Sequence, residues 1–173
     1  VVITMDPARR VIDDGTVAVR GDRIVAVGPR REVEAEWQAP QEISAAGKAI
    51  LPGFIDAHAH AGHGLVKTMG GGDSEAWSEA CRIIYTLASP PSFWRAEAEL
   101  AALERLRNGV TTGVSLLGGG DSIMRTDDPA HGDAHCQGVT MVGIRAIVAV
   151  GPTRPPHPRE YAARSWARGR AAP

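Results

Sequence analysis

AILPGFIDAHAHAG, residues 49–62, carries the strongest structural signal in this 173-residue chain. A nearly continuous apolar run from Ile50 leads to two histidines, His58 and His60, that are separated by a single alanine. Such a run predicts a strand, here residues 50–58, that is buried on both faces of a parallel sheet. Because side chains at positions i and i+2 of a strand point to the same side, we expect Asp56, His58 and His60 to share one face at its carboxyl end.

Two imidazoles at this spacing make half of a metal site. Positions i and i+2 are ~6–7 Å apart along the backbone, so both rings can reach one divalent cation at about 2.0–2.1 Å. A single histidine at a strand end is more often an ordinary polar residue, but two buried imidazoles each need a partner and would repel if both were protonated. We therefore predict that His58 and His60 are metal ligands. Asp56 is predicted either to hydrogen-bond a ligand imidazole or to be satisfied by backbone groups.

Helix and strand patterns alternate after this strand. Residues 92–108 predict an amphipathic helix that starts beside Pro91 and ends at Gly109. One face of this helix is predicted to comprise Phe93, Ala96, Leu100, Leu103 and either Leu106 or Arg107. Further strands are predicted over residues 110–117 and 144–150, with a weaker helix over 131–142 between them.

This βαβαβ order predicts right-handed crossovers and an α/β fold with a parallel sheet, either doubly wound or the start of a (β/α)8 barrel. The glycines at 118–120 follow the second strand rather than the first and lack GxGxxG spacing, so a dinucleotide site fits poorly. We interpret them as part of a loop, residues 118–121, and prefer the barrel. Residues 1–48 are different, because 1–5, 16–20 and 23–28 are short strand patterns joined by turns, with a hairpin at Gly21-Asp22.

Charge and cysteine content narrow the function classes. With 19 basic and 20 acidic residues and a net charge of -1, the chain has no electrostatic footprint for nucleic acid. The two cysteines, Cys81 and Cys136, lie 55 positions apart and are predicted to be the reduced thiols of a cytoplasmic protein. No apolar run reaches the ~18 residues that a membrane span requires, so neither membrane nor nucleic acid is expected as a partner.

The motifs described above resemble a known family. GKAILPGFIDAHAH at 47–60, preceded by DGTVAVRGDRIVAVG at 14–28 and followed by SFWRAEAELAALERLRNGVTT at 92–112, is similar to the amino-terminal third of the amidohydrolase superfamily. Its nearest branch contains cytosine, guanine and S-adenosylhomocysteine deaminases and triazine hydrolases. The resemblance implies a small β-sandwich domain over 1–48, about three β/α units of an incomplete TIM barrel over 49–160, and a carboxyl-terminal tail over 161–173.

The resemblance also implies an activity. The expected protein is a metal-dependent hydrolase of carbon–nitrogen bonds other than peptide bonds, acting on a small molecule such as a cyclic amidine or a purine, pyrimidine or triazine-type ring. Zinc is the expected metal, with iron as the alternative, held partly by His58 and His60. In this family the other ligands and the proton-shuttling residue lie on later strands, so no catalytic residue is predicted here and the 173-residue piece alone is expected to be inactive.

Two other function classes stay open from the sequence. One is a cyclic-amide hydrolase similar to dihydroorotase or hydantoinase. The other is a non-catalytic half-barrel module that assembles with another chain, and a homo-oligomer is a further possible assembly.

Other histidines offer weaker candidates. His63 lies in the loop after the first predicted barrel strand and is a candidate for a substrate contact. A second metal site at His131, His135 and Cys136 is conceivable from the i, i+4 spacing of the histidines, but we prefer a surface loop and helix start. The turn and cap residues of that segment are predicted to be Asp127, Asp128 and Pro129.

Overall fold

The computed structural model describes residues 1–61, 63–85, 89–119, 122–123 and 128–150. The chain divides into two compact units, Val1–Pro52 and Gly53–Pro173. The predicted tail at 161–173 lies outside the described residues, and the assignment of domains stays a prediction. Among the described residues no helix has the length and apolar character that crossing a bilayer demands.

The first unit contains four strands and one helix: β1 Val2–Ile3, β2 Val11–Ile12, β3 Gly15–Arg20, β4 Arg23–Pro29 and α1 Arg30–Glu36. The strands form two antiparallel pairs, β1–β2 and β3–β4. Arg20 pairs with Arg23 across a two-residue turn in which Gly21 has a φ of 60°. The hairpin predicted at Gly21-Asp22 is therefore confirmed, because a left-handed φ at this position favours glycine.

Helix α1 was not foreseen among the short strands and turns predicted for residues 1–48. Its sequence, RREVEAE, is made almost entirely of good helix formers. It buries one side chain, Val33. A seven-residue segment with a single buried apolar position carries almost no periodic signal, which is why the pattern did not reveal it. The β-sandwich predicted for this unit stays a prediction.

The second unit is a mixed α/β structure. Its elements are β5 Phe54–Asp56, α2 His63–Val66, α3 Ser74–Ile83, α4 Pro91–Arg107, β6 Val110–Gly119, β7 Ser122–Ile123, α5 Ala130–Val142 and β8 Arg145–Val150. Strand β6 lies between β5 and β8 and is parallel to both. The predicted βαβαβ order with a parallel sheet is therefore confirmed in β5, α4, β6, α5 and β8. Asn108 caps α4 and Gly109, with a φ of 82°, ends it as predicted.

Two details of this sheet differ from the sequence prediction. Strand β6 continues to Gly119 and pairs with the antiparallel β7, so part of the predicted loop at 118–121 is strand. Strand β5 is also shorter than the predicted 50–58 and is not buried on both faces, because Phe54 is 57% and Ile55 72% exposed. Among the described strands β5 pairs with β6 alone, so it is an edge strand there and part of its apolar surface remains open.

The packed face of α4 was predicted only in part: Phe93 and Leu106 do pack against the core, but other members differ. Trp94, Glu97, Ala98 and Ala102 are buried, whereas Ala96 and Leu103 are exposed. Small residues decide the packing, since a Cβ added at Gly138 of α5 would lie 2.7 Å from the Cβ of Ala98. The two helices approach so closely that alanines line their contact, and a prediction based on large apolar residues misses these positions.

Candidate functional site

His58 and His60 lie directly after β5, and His60 bridges to Leu116 of β6. Their Nε2 atoms are 3.2 Å apart, and the ring centroids are 5.0 Å apart with the planes at 78°. Two imidazole nitrogens on one tetrahedral zinc at about 2.0–2.1 Å are themselves about 3.3 Å apart. The two rings therefore already have the separation that a shared metal needs. A hydrogen bond from one neutral ring to the other also fits this distance.

His63, at the start of α2, joins the same cluster of rings. Its centroid lies 5.2 Å from that of His60, 5.0 Å from Trp77 and 6.0 Å from Tyr85. Burial lowers the pKa of His63, and the neighbouring His60 lowers it further. The structure thus brings His58, His60 and His63 together, with the third ring half-buried against aromatic side chains and its pKa lowered in the direction that favours the neutral ring.

Asp56 does not share a face with His60, contrary to the expectation from strand alternation. Asp56 pairs with Gly113, while His60 pairs with Leu116. From Asp56 to His60 the chain advances by four residues, whereas the paired residues of β6 advance by only three. Strand β6 is regular over this stretch, because its pairing with β8 shows no shift in register. One extra residue in the β5 segment forms a bulge, and a shift of one residue exchanges the two faces.

The carboxylate of Asp56 instead lies against α4. Its Oδ2 is 3.0 Å from Nε of Arg105, and its Oδ1 accepts the backbone N–H of His58 at 3.3 Å. These are its contacts within the described part of the chain, so the predicted hydrogen bond to an imidazole ring is not seen there.

Two charged residues of α4 support this site, and the sequence pattern did not single out either. The side chain of Arg105 is only 12% exposed and donates to Ser115 Oγ and to the backbone oxygen of Val114, each at 3.1 Å, besides its contact with Asp56. A basic residue in the last turn of a helix is common, so nothing in the local sequence marked it.

Glu97 is the second of these residues and is fully buried. Its two carboxylate oxygens accept the backbone N–H groups of Gly64 at 2.9 Å and Leu65 at 2.7 Å, directly after His63. Glycine at 64 leaves the space for this contact, because a Cβ there would lie 2.9 Å from Oε1. A charged residue that packing buries completely cannot be recognised from hydrophobic periodicity alone.

His131 and His135 correct another prediction. The helix predicted over 131–142 is present as α5, but the expected surface position is wrong, because the two histidines are 2% and 1% exposed. His131 contacts the backbone oxygens of Ser89 and Asp128, each at 3.3 Å. Burial, followed by the positive charge of Arg105, lowers the pKa of His135 to about 4. Both histidines are core residues because α5 turns them towards the interior of this unit.

The start of α5 agrees with the predicted turn and cap residues. Asp128 accepts the N–H of Ala130 at 2.9 Å, as a capping residue would, and Pro129 precedes the first turn. Asp127 lies outside the described residues.

The structure does not support a second metal site at His131, His135 and Cys136. Cys136 is exposed, and no three of the described His, Cys, Asp and Glu residues are grouped so as to hold a metal ion.

Comparison with known proteins gives two family matches. A profile described as the amidohydrolase family matches residues 49–164. A second, described as an imidazolonepropionase-like composite domain of bacteria, matches residues 17–37.

Curated relatives match parts of the chain. Imidazolonepropionase of Bradyrhizobium sp. (strain BTAi1) is 33% identical over 118 residues, which cover 64% of this chain and 29% of that protein. A 5-methylthioadenosine/S-adenosylhomocysteine deaminase of Moorella thermoacetica is 28% identical over 148 residues, covering 82% and 30%. Imidazolonepropionase of Chloroflexus aggregans is 51% identical over 57 residues, covering 31% and 13%. The chain thus spans less than a third of the length of these relatives.

Two solved structures share the fold. A mutant of atrazine chlorohydrolase from Arthrobacter aurescens TC1, complexed with zinc and atraton, is 24% identical with a TM-score of 0.53, and the match covers 86% of this chain and 33% of that one. Guanine deaminase of E. coli is 19% identical with a TM-score of 0.59, covering 82% and 30%. At these identities the likeness is one of fold alone.

Proposed function

The chain belongs to the amidohydrolase family, and on that premise we propose that the full-length protein is a metal-dependent hydrolase of carbon–nitrogen bonds other than peptide bonds. The proposed reaction is deamination of a small ring compound of the purine, pyrimidine or triazine type. The observation that carries the proposal is the pair of Nε2 atoms of His58 and His60, 3.2 Å apart at the carboxyl end of a parallel strand.

The fold supports this placement. Strands β5, β6 and β8 are parallel neighbours in one sheet, with α4 and α5 as connecting helices, which is consistent with the start of a (β/α)8 barrel. In such barrels the reacting groups gather at the carboxyl ends of the strands, where His58 and His60 lie. We therefore propose that this unit is the first part of a barrel whose remaining strands carry the other ligands.

The chemistry follows from the two imidazoles. As neutral rings, His58 and His60 would hold zinc, or alternatively iron, through Nε2. A metal in this position would supply a nucleophile derived from water at neutral pH and would polarise the substrate. His63, kept neutral by its lowered pKa, presents a ring that can exchange one hydrogen bond with a polar heterocycle beside the metal. Its role is a substrate contact, whereas Asp56 restrains the backbone of His58.

A second candidate reaction is hydrolysis of a cyclic amide. The match of residues 17–37 to an imidazolonepropionase-like domain favours it, as do the relatives of that name. An imidazolone ring contains an amide bond, so ring opening would use the same nucleophile on a different carbon–nitrogen bond. Cytoplasmic location, homo-oligomerisation and assembly with another chain stay predictions.

The test is metal analysis and turnover of the full-length protein. We expect stoichiometric zinc or iron, and we expect His58→Ala or His60→Ala to weaken metal affinity by more than about 100-fold, because even groups that only support a ligand cost about 10–100-fold. Ammonia release from aminated purines, pyrimidines and triazines would identify a deaminase, and ring opening of imidazolonepropionate, dihydroorotate or hydantoin the second candidate. Cys136→Ala, at an exposed thiol on α5, is the matched control and should change neither property. Retention of metal and turnover by both histidine variants would refute the proposal.

A further inference from the structure

Arg105 joins the two strands beside the histidine pair. From α4 its guanidinium reaches Asp56 of β5 and both Val114 and Ser115 of β6, with all three contacts between 3.0 and 3.1 Å. Gly113 makes room for it, since a Cβ there would lie 3.1 Å from the guanidinium carbon. A planar guanidinium can hold several acceptors in a fixed arrangement, which a lysine ammonium cannot do in the same way.

These contacts lie at the bulge. The extra residue of the β5 segment falls between Asp56 and His60, and it turns His60 to the face opposite Asp56. Bulges re-aim side chains, but they also interrupt the ladder of hydrogen bonds and so need support from elsewhere. Arg105 supplies that support by fixing Asp56, the last residue of β5 before the extra residue, to the neighbouring strand.

Asp56 connects Arg105 to the backbone of His58, one of the two proposed metal ligands. Asp56 receives Arg105 on Oδ2 and the N–H of His58 on Oδ1. The guanidinium therefore acts on His58 through one carboxylate, without touching either imidazole ring. The side chains of this ion pair are 12% and 29% exposed, and such a pair contributes modestly to stability. Its main effect here is to fix the position of the Asp56 carboxylate.

We propose that Arg105 is a positioning residue for the metal-binding pair: through Asp56 it fixes the bulge that holds the Nε2 atoms of His58 and His60 at the separation one metal ion requires. The expected effect on metal affinity rests on the proposed function. The restraint on the His58 backbone does not, because it exists without metal. The two can therefore be tested separately.

The test compares Arg105→Gln with Arg95→Gln in the full-length protein. Arg95 is on the same helix, forms an exposed ion pair with Glu99 at 2.9 Å, and so controls for the loss of an ion pair from α4. The readouts are amide hydrogen exchange at His58 in the metal-free protein and Zn²⁺ affinity by competition with a chromophoric chelator. We expect Arg105→Gln to speed exchange at His58 and to weaken Zn²⁺ affinity by about 10-fold. Arg95→Gln should leave both near the wild-type values.

Two further variants make the outcome decisive. Arg105→Lys retains the charge but not the three-way contact, and it should fall between wild type and Arg105→Gln, which a purely electrostatic role would not give. If Arg105→Gln does not fold, the comparison of Arg105→Lys with Arg95→Lys replaces it. Exchange and affinity equal to those of the Arg95 variant would overturn the positioning role.

Failure of the proposed function would look different. In that case His58→Ala would leave Zn²⁺ affinity unchanged, while faster exchange at His58 in Arg105→Gln would still support the restraint. If His58→Ala abolishes Zn²⁺ binding and Arg105→Gln matches its control, only the positioning role is wrong.

Discussion

Two groups of histidines in this chain have opposite surroundings. His58, His60 and His63 follow strand β5, with ring centroids 5.0 and 5.2 Å apart and exposed or half-buried side chains. His131 and His135 lie in α5 and are almost completely buried. The same residue type thus forms an accessible cluster of rings in one region and belongs to the core in the other. The difference comes from the element that carries it, because the end of a parallel strand opens to a site, whereas the inner face of a packed helix does not.

The largest expected effect is on the pH dependence of stability, because burial of an imidazole disfavours its protonated form. The pKa of His135 is lowered from 6.5 to about 4 by burial and by the charge of Arg105. The unfolded chain therefore binds this proton more readily. The stability that His135 contributes is fully present above about pH 6.5 and is lost as the pH falls through about 4. The loss should be on the order of 3 kcal/mol over that window.

Urea unfolding of wild type and His135→Leu, from above pH 6.5 down to about pH 4, would measure this effect. The leucine variant should show a flatter dependence of unfolding free energy on pH. His63 also has a lowered pKa and gives a dependence of the same sign, but it is present in both proteins and cancels in the difference. Parallel pH profiles would mean that His135 is accessible to protons in the folded state.

Alanine substitutions offer a second way to sharpen the contrast. His131→Ala should lower the free energy of unfolding at pH 7 by about 2 kcal/mol, because it opens a cavity and removes the partner of the Ser89 carbonyl. His58→Ala, at an exposed position, should change it by less than about 0.5 kcal/mol. Chemical denaturation of the metal-free protein would measure both changes in the free energy of unfolding. A larger loss for His58→Ala than for His131→Ala would reverse the assignment of the two groups.

The smallest expected effect concerns Glu97, the buried carboxylate that holds the turn after His63. Glutamine can accept from only one of the N–H groups of Gly64 and Leu65 in the same arrangement, and its amide group would face the other. We expect Glu97→Gln to cost about 1–2 kcal/mol of stability. Glu99→Gln, on the same helix but in an exposed ion pair with Arg95, should cost less than about 0.5 kcal/mol. Equal values would mean that the buried carboxylate does not anchor this turn.

Local signals predicted much of the second unit. Pro91 and Gly109 delimit α4 because a proline starts a helix and a left-handed glycine ends it, whatever surrounds them. Strand β8 and helix α5 were likewise visible as an apolar run and a weaker periodic segment. These features depend on residues that are neighbours in the sequence.

What the sequence could not provide depends on partners far along the chain. The bulge after Asp56 exists only in relation to β6, so alternation within one strand placed Asp56 and His60 on the same side. The buried face of α4 depends on the close approach of Gly138 to Ala98, and the roles of Arg105 and Glu97 depend on strands and turns that α4 covers. The proximity of His58 and His60 could be predicted because one residue separates them in the sequence, and their role as metal ligands stays a prediction.

The central claim is that His58 and His60 share one metal ion. Anomalous diffraction at the zinc absorption edge from crystals of the full-length protein, grown with Zn²⁺, tests it most directly. We expect one peak about 2.0–2.1 Å from Nε2 of both rings, with those two nitrogens still close to their present 3.2 Å separation. A peak bound elsewhere, with the two rings joined only by a hydrogen bond, would contradict it.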